Sequence, residues 1–146
     1  MITFKPKRSL KHFLILFVLT SFIALVIIFQ NIPLGEKLGV ILSLYALIIA
    51  LNALILYTTH YLVDENRFSY RSLFFSGVIE ISNIKKMEVG KTLWVGLKPA
   101  TAMAGIIIHY NSFDEIYISP ENNKDFVHTL LEINPSIQVV NFKNKR

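Results

Sequence analysis

Two long uncharged runs dominate the first sixty residues. Residues 13–29 (FLILFVLTSFIALVIIF) form one of 17, and residues 38–59 (LGVILSLYALIIALNALILYTT) form another of 22. An apolar helix rising 1.5 Å per residue needs about 20 residues, within a range of about 17–25, to cross a hydrocarbon core of about 30 Å. Both runs fit that range. Neither shows the polar stripe at helical period that marks a surface-lying or soluble-core helix. The pattern predicts two spans, the first at the short limit, with Lys11 snorkelling and Gln30 in the headgroup layer.

A cleavable signal peptide is the rival reading of the first run. The following Gln30-Asn31-Ile32-Pro33-Leu34-Gly35 has no small-x-small cleavage pattern, and a second apolar run comes at once. The expectation is an uncleaved helix pair joined by a loop over residues 30–37, with Pro33 and Gly35 as breakers. Four basic residues precede the first run and one lies between the two. The positive-inside rule then places both termini in the cytoplasm, as a multi-pass protein of the inner or plasma membrane. Inside the runs, Asn52 falls at a depth similar to Thr20 and Ser21, which predicts an interhelical hydrogen bond. A polar transport path is the alternative, although no ionisable side chain lies within either run.

From His60 the pattern changes. Short β-branched and aromatic segments alternate with turn residues, predicting strands at 61–63, 67–73, 78–81, 85–89, 105–110 and 115–119. Asp64-Glu65-Asn66 and Asn111-Ser112 are the clearest turns. One helix follows, with Ser119 as N-cap, Pro120 in its first position, Glu121 and Asp125 near its positive end, and Phe126, Val127, Leu130, Leu131 and Ile133 on its apolar face. Asn134-Pro135 ends it, and a last extended piece covers 137–142. The fold class is a two-helix transmembrane hairpin followed by a small α+β domain of antiparallel strands and one C-terminal helix. The organisation is a basic arm (1–12), two spans (13–59), a cytoplasmic domain (60–142) and a basic tail (143–146).

Composition sharpens this division. The chain of 146 residues is 53% hydrophobic and 17% charged, more apolar and less charged than ordinary globular domains, and the excess sits largely in the two runs. Its net charge of +5 is equally localised: residues 1–12 carry +4, the tail +3, and residues 60–142 carry −2. A folded part that is slightly acidic argues against nucleic-acid binding. The absence of cysteine excludes disulfides, thiolate metal sites and cysteine nucleophiles.

The order of residues 61–72 (YLVDENRFSYRS), 79–84 (IEISNI) and 105–139, with Ile118-Ser119-Pro120 followed by Phe126 and Leu130, resembles the bacterial pleckstrin-homology (PH) domain proteins. More narrowly, it resembles the small membrane-anchored group, formerly grouped under a domain of unknown function, in which two N-terminal helices precede the domain. The resemblance implies a PH-like barrel with the C-terminal helix closing one end. It supplies no ligand, because one fold hosts many roles. The chain has Leu73 where relatives tend to have Gly after the second strand, and its residues 98–104 lack the polar and basic side chains expected there. Animal PH domains bind phosphoinositides through Lys and Arg around the first hairpin. Here that turn is Asp64-Glu65-Asn66, followed only by Arg67 and Arg71.

Catalytic patterns are scarce. His12, His60, His109 and His128 have no metal-ligand spacing, and no H-E-x-x-H, P-loop or G-x-S-x-G occurs. His109 reads as a solvent-facing strand residue, and Asp114 and Glu115 as turn carboxylates. No catalytic residue, cofactor or metal is expected. The segment 91–104 (KTLWVGLKPATAMA) stands out: Leu93, Trp94 and Val95 between Lys91 and Lys98 suit either a contact with bilayer or partner, or completion of the core. Phe74 and Phe75, at a hairpin tip, pose the same alternative. The expected function is a non-enzymatic, membrane-anchored module that binds an unidentified protein or the membrane surface, with an immunity-type membrane protein as one form. The alternative is an assembly subunit, forming a homo-oligomer or docking on a larger membrane complex.

Overall fold

The computed structural model describes residues 1–94, 96 and 98–141, with backbone alone at 10–12. Val95, Leu97, Phe142, the basic tail and the side chains of Lys11 and His12, all of which enter the sequence reading, lie outside the described residues. The chain runs through strand β1 (Ile2–Phe4), helices α1 (Leu10–Ile28) and α2 (Leu34–Thr58), strands β2 (His60–Val63), β3 (Arg67–Ser72), β4 (Phe75–Glu80), β5 (Ile84–Lys91), β6 (Gly105–Tyr110) and β7 (Asp114–Ile118), helix α3 (Asn123–Ile133) and strand β8 (Gln138–Asn141).

Two N-terminal helices are present, but they are not equivalent. Helix α2 has 25 residues, about 37 Å at 1.5 Å each. The uncharged part of α1, Phe13–Ile28, reaches about 24 Å, because Phe29 leaves the helix as its C-cap. Among the described helices, α2 alone is long and apolar enough to cross a membrane unaided, whereas the sequence placed both runs within the spanning range, the first at its short limit. The connecting turn is also shorter than predicted. Pro33, with its fixed φ, stands at the N-cap of α2, so Gly35, Glu36 and Lys37 belong to the helix. Lys37 Nζ reaches back to the Ile28 carbonyl at 2.8 Å, satisfying an orphan acceptor at the end of α1. Thr20 and Ala24, one turn apart, are the buried residues of α1 among those described, small enough to let two helices approach closely.

The predicted strands all form, in two four-stranded sheets ordered β1-β2-β3-β4 and β7-β6-β5-β8. Tyr61, Phe68 and Ile79 from the first sheet meet Met87, Ile108 and Ile116 from the second, and Phe126 and Leu130 of α3 complete the core. The sheets do not close into a barrel, contrary to the expectation from resemblance. At one corner β8 pairs in parallel with β5 and occupies the edge that β4 would need. At the other, β1 and β7 are joined by a single bridge, Pro6 to Pro120, and neither proline has an N–H to extend a ladder.

The N-terminal arm is a strand of the domain and not a free basic extension. Ile2, Thr3 and Phe4 pair with Val63, Leu62 and Tyr61, and the Phe4 ring meets Phe126 edge-on at 5.1 Å. Lys7 N donates to the Ser119 carbonyl at 2.8 Å, and Glu121 N to that of Lys5 at 2.9 Å. These bonds delay the start of α3. Its N-cap is Asn122, whose Oδ1 accepts from Lys124 N and Asp125 N, while Ser119, the predicted cap, is fully buried elsewhere.

Candidate functional site

The domain has two ends, set by strand direction. The start of β2 and the end of β3 lie beside the last turn of α2, where Thr59 Oγ1 sits 2.7 Å from Ser72 Oγ and Leu73 N donates to Thr58 Oγ1 at 3.1 Å. The β2–β3 and β6–β7 turns lie at the opposite end. A cleft of about 660 Å³ opens at the helix-proximal end, between the helix pair and the domain. Phe13, Ile55 and Leu56 of the helices and Leu73, Phe75 and Ala100 of the domain give it apolar walls, with Asn52, Ser9 and Ser72 among its polar groups and, among the described residues, Arg8 and Lys98 as its only charged lining residues.

The loop segment 98–101 is held in place by the core. Burial pushes the Tyr61 hydroxyl up to about 12, so it stays protonated and donates to the Pro99 carbonyl at 2.5 Å while accepting from Ser119 N. Ser119 Oγ takes the N–H groups of Thr101 and Ala102, and Thr101 Oγ1 donates to the Lys7 carbonyl at 2.7 Å. The loop, the N-terminal arm and the start of β2 are thereby tied at one point.

Of the residues singled out by sequence, Phe74 is 94% exposed and Trp94 74% exposed, so neither ring completes the core. Leu93 is half-buried, and Phe75 is exposed but lines the cleft. Lys98 donates to the Trp94 carbonyl. Lys91 is turned to Glu88, 2.7 Å away. In the helices, Asn52 Nδ2 donates to the Ile48 carbonyl of its own helix, and Thr20 to that of Leu16. The cross-helix partner of Ser21 is Tyr45, at 2.9 Å, whose ring also packs on Phe17. Arg8 and Ser9 were read only as part of a basic arm. The alternation in Ile2-Thr3-Phe4 was the available signal that the arm forms a strand.

A second polar constellation lies on the outer face of the second sheet. Glu88, almost buried, binds Lys86 Nζ at 2.6 Å and Lys91 Nζ at 2.7 Å, and these hydrogen bonds hold its carboxyl down to about 2. His109, predicted to face solvent, is half-buried, its Nε2 3.6 Å from Glu88 and its Nδ1 3.8 Å from Glu115. Among the described residues, no group of three His, Asp or Glu is arranged to hold a metal. The far end of the domain carries a larger cleft, about 840 Å³, lined by Asp64, Glu65, Glu80 and, among the described residues, a single cation, Arg67. That charge balance repels phosphate at the turn where animal PH domains recruit it.

The family model for the bacterial PH domain matches residues 59–134. The chain belongs to the bacterial PH domain family. The match begins at the end of α2 and stops at the end of α3, leaving β1, the helix pair and β8 outside it. No curated protein and no solved structure matches the chain. The bacterial PH domain here is therefore one whose proximal face is built jointly with flanking elements.

Proposed function

We propose that this chain is a membrane-anchored, non-catalytic interaction module in which both helices cross the cell membrane and the PH-like domain rests on its cytoplasmic side. The observation that carries the reading is the pairing of β1 with β2. Phe4 and Tyr61 are neighbours in one sheet, so the arm and the domain lie on one side of the bilayer. If α2 crosses toward that side, the chain must first have crossed away from it, and α1 is the segment available. Its shortness is met by snorkelling and local thinning, at fractions of a kcal/mol per Å of mismatch. The lysine and arginine residues of the arm favour the cytoplasmic side. Tyr57, Phe74 and Trp94, all exposed, suit the headgroup layer, where amphipathic and aromatic rings concentrate.

The absence of native cysteine makes the test direct. In intact cells, a membrane-impermeant maleimide should label Ile32→Cys in the helix turn and leave Phe113→Cys, at the far end of the domain, unlabelled. The opposite pattern, or labelling of both positions alike in intact cells, overturns the topology. In proteoliposomes a polarity-sensitive dye at Phe74→Cys should emit further to the blue than one at Phe113→Cys.

A second reading, a homomeric assembly subunit, is favoured by Gly35 and Gly39. They lie one turn apart on α2 with open space where a Cβ would project, a spacing that lets helices approach closely. A single-chain mass in mild detergent would dismiss it.

A further inference from the structure

Resting on the membrane-anchored reading, we propose that the cleft between the helix pair and the domain is a binding site for one anionic phospholipid of the surrounding leaflet. The cleft lies where the apolar helices end, so its walls are continuous with the lipid-facing surface. Phe13, Ile55 and Leu56 extend that surface inward, and Phe75 and Leu73 close it from the domain side. An acyl chain is the apolar group present at this depth in a bilayer.

Charge selects the headgroup. Arg8 and Lys98 lie on the cleft and, among the described residues, no carboxylate does. Arg8 is exposed and makes no ion pair or hydrogen bond among the described residues, leaving a guanidinium fork suited to bidentate contact with phosphate. Lys98 spends one proton on the Trp94 carbonyl and keeps two. Ser9, whose side chain caps no backbone group, adds a hydroxyl. The ties among Tyr61, Pro99, Thr101 and Lys7 fix the loop and arm that carry both cations, so little ordering is needed when a lipid enters. This site is at the opposite end of the domain from the first hairpin, whose acidic turn disfavours phosphate.

The test uses the full chain in mild detergent and native mass spectrometry, with phosphatidylglycerol and phosphatidylcholine of identical acyl chains as probes. The wild type should retain one phosphatidylglycerol with a preference on the order of tenfold, as expected for two basic side chains near an anionic headgroup. Arg8→Ala with Lys98→Ala should bring the ratio close to one, whereas Lys85→Ala with Lys124→Ala, which removes as much charge outside the cleft, should leave it unchanged. Ala100→Trp, which fills the cleft and keeps both cations, should lower retention of both lipids. Equal retention of the two lipids by the wild type, or an unchanged ratio in the Arg8/Lys98 variant, overturns the proposal. Carbonate extraction of cell membranes carrying the same chain, before any detergent is added, separates the two readings. A chain that stays in the membrane without lipid preference loses only the cleft site, and a chain that is extracted loses the anchoring and the site together.

Discussion

Thr59 Oγ1 lies 2.7 Å from Ser72 Oγ, both side chains buried where α2 hands the chain to β2. Thr59 also donates its single proton to the Ile55 carbonyl at 2.6 Å, so Ser72 is the donor to Thr59. The junction is a single residue, Thr59, and neither of its two buried hydroxyl protons is left undonated.

That proton order makes an asymmetric prediction. Thr59→Val strands the buried Ser72 hydroxyl and should cost about 1–3 kcal/mol, whereas Ser72→Ala leaves Thr59 still bonded to α2 and should cost about 1 kcal/mol or less. Thermal unfolding of the two variants in mild detergent compares them directly, and equal losses would refute the assignment.

Glu88 predicts an acid-dependent contribution. Its carboxyl drops from 4.5 in the unfolded chain to about 2 in the fold, so the unfolded state binds the proton first as pH falls. The stabilisation is complete above about 4.5 and fades as pH falls toward about 2. Glu88→Gln should cost about 1–3 kcal/mol at neutral pH and flatten the stability profile across that window. An unchanged profile between the variant and wild type would show that the two lysines do not set it.

Two neighbouring positions should respond in opposite directions. A Cβ at Gly105 would collide with the Ile118 carbonyl across the β6–β7 ladder, so Gly105→Ala should lower the melting temperature through a displaced strand. Ala104 has φ of 56°, a region that costs a non-glycine residue about 1–2 kcal/mol, so Ala104→Gly should be neutral or slightly stabilising. Circular dichroism melts of both variants check the pair.

The domain should not be autonomous without its arm. Phe4 packs edge-on against Phe126, which in turn packs on Phe68 at 5.3 Å. Phe4→Ala should cost about 2–3 kcal/mol, below the value for a fully enclosed phenylalanine. A fragment beginning at residue 59 exposes the edge of β2 and should unfold at lower denaturant than the full chain. If it matches the full chain, β1 is an ornament of the sheet.

Much of this fold was legible in the residues. The alternation of Arg67, Phe68, Ser69 and Tyr70 forces a strand with two rings inward, and Asn134-Pro135 ends a helix wherever it is placed. The boundaries that failed did so through distant partners. Ser119 has every local attribute of an N-cap, yet the amides of Thr101 and Ala102 claim its hydroxyl, and the Lys5 carbonyl claims the N–H of Glu121. Asn52 differs: its acceptor is the Ile48 carbonyl one turn away in its own helix, a local bond that competes with any cross-helix partner. The cleft was illegible because its lining comes from distant segments. Arg8, Asn52, Leu73 and Lys98 are scattered over ninety positions of chain.

Sequence by itself determined the local chemistry of this protein: two apolar helices, a run of short strands, one amphipathic helix, and cations concentrated outside the acidic domain. Those properties depend on residues a few positions apart, whose period and turn chemistry are written in order along the chain. Tertiary structure alone decided that the arm is a strand, that the sheets stay open, and that two cations flank an apolar cleft at the helix ends. Each of those depends on hydrogen bonds and packing between segments far apart in sequence, whose partners are chosen only when the folded chain brings them together.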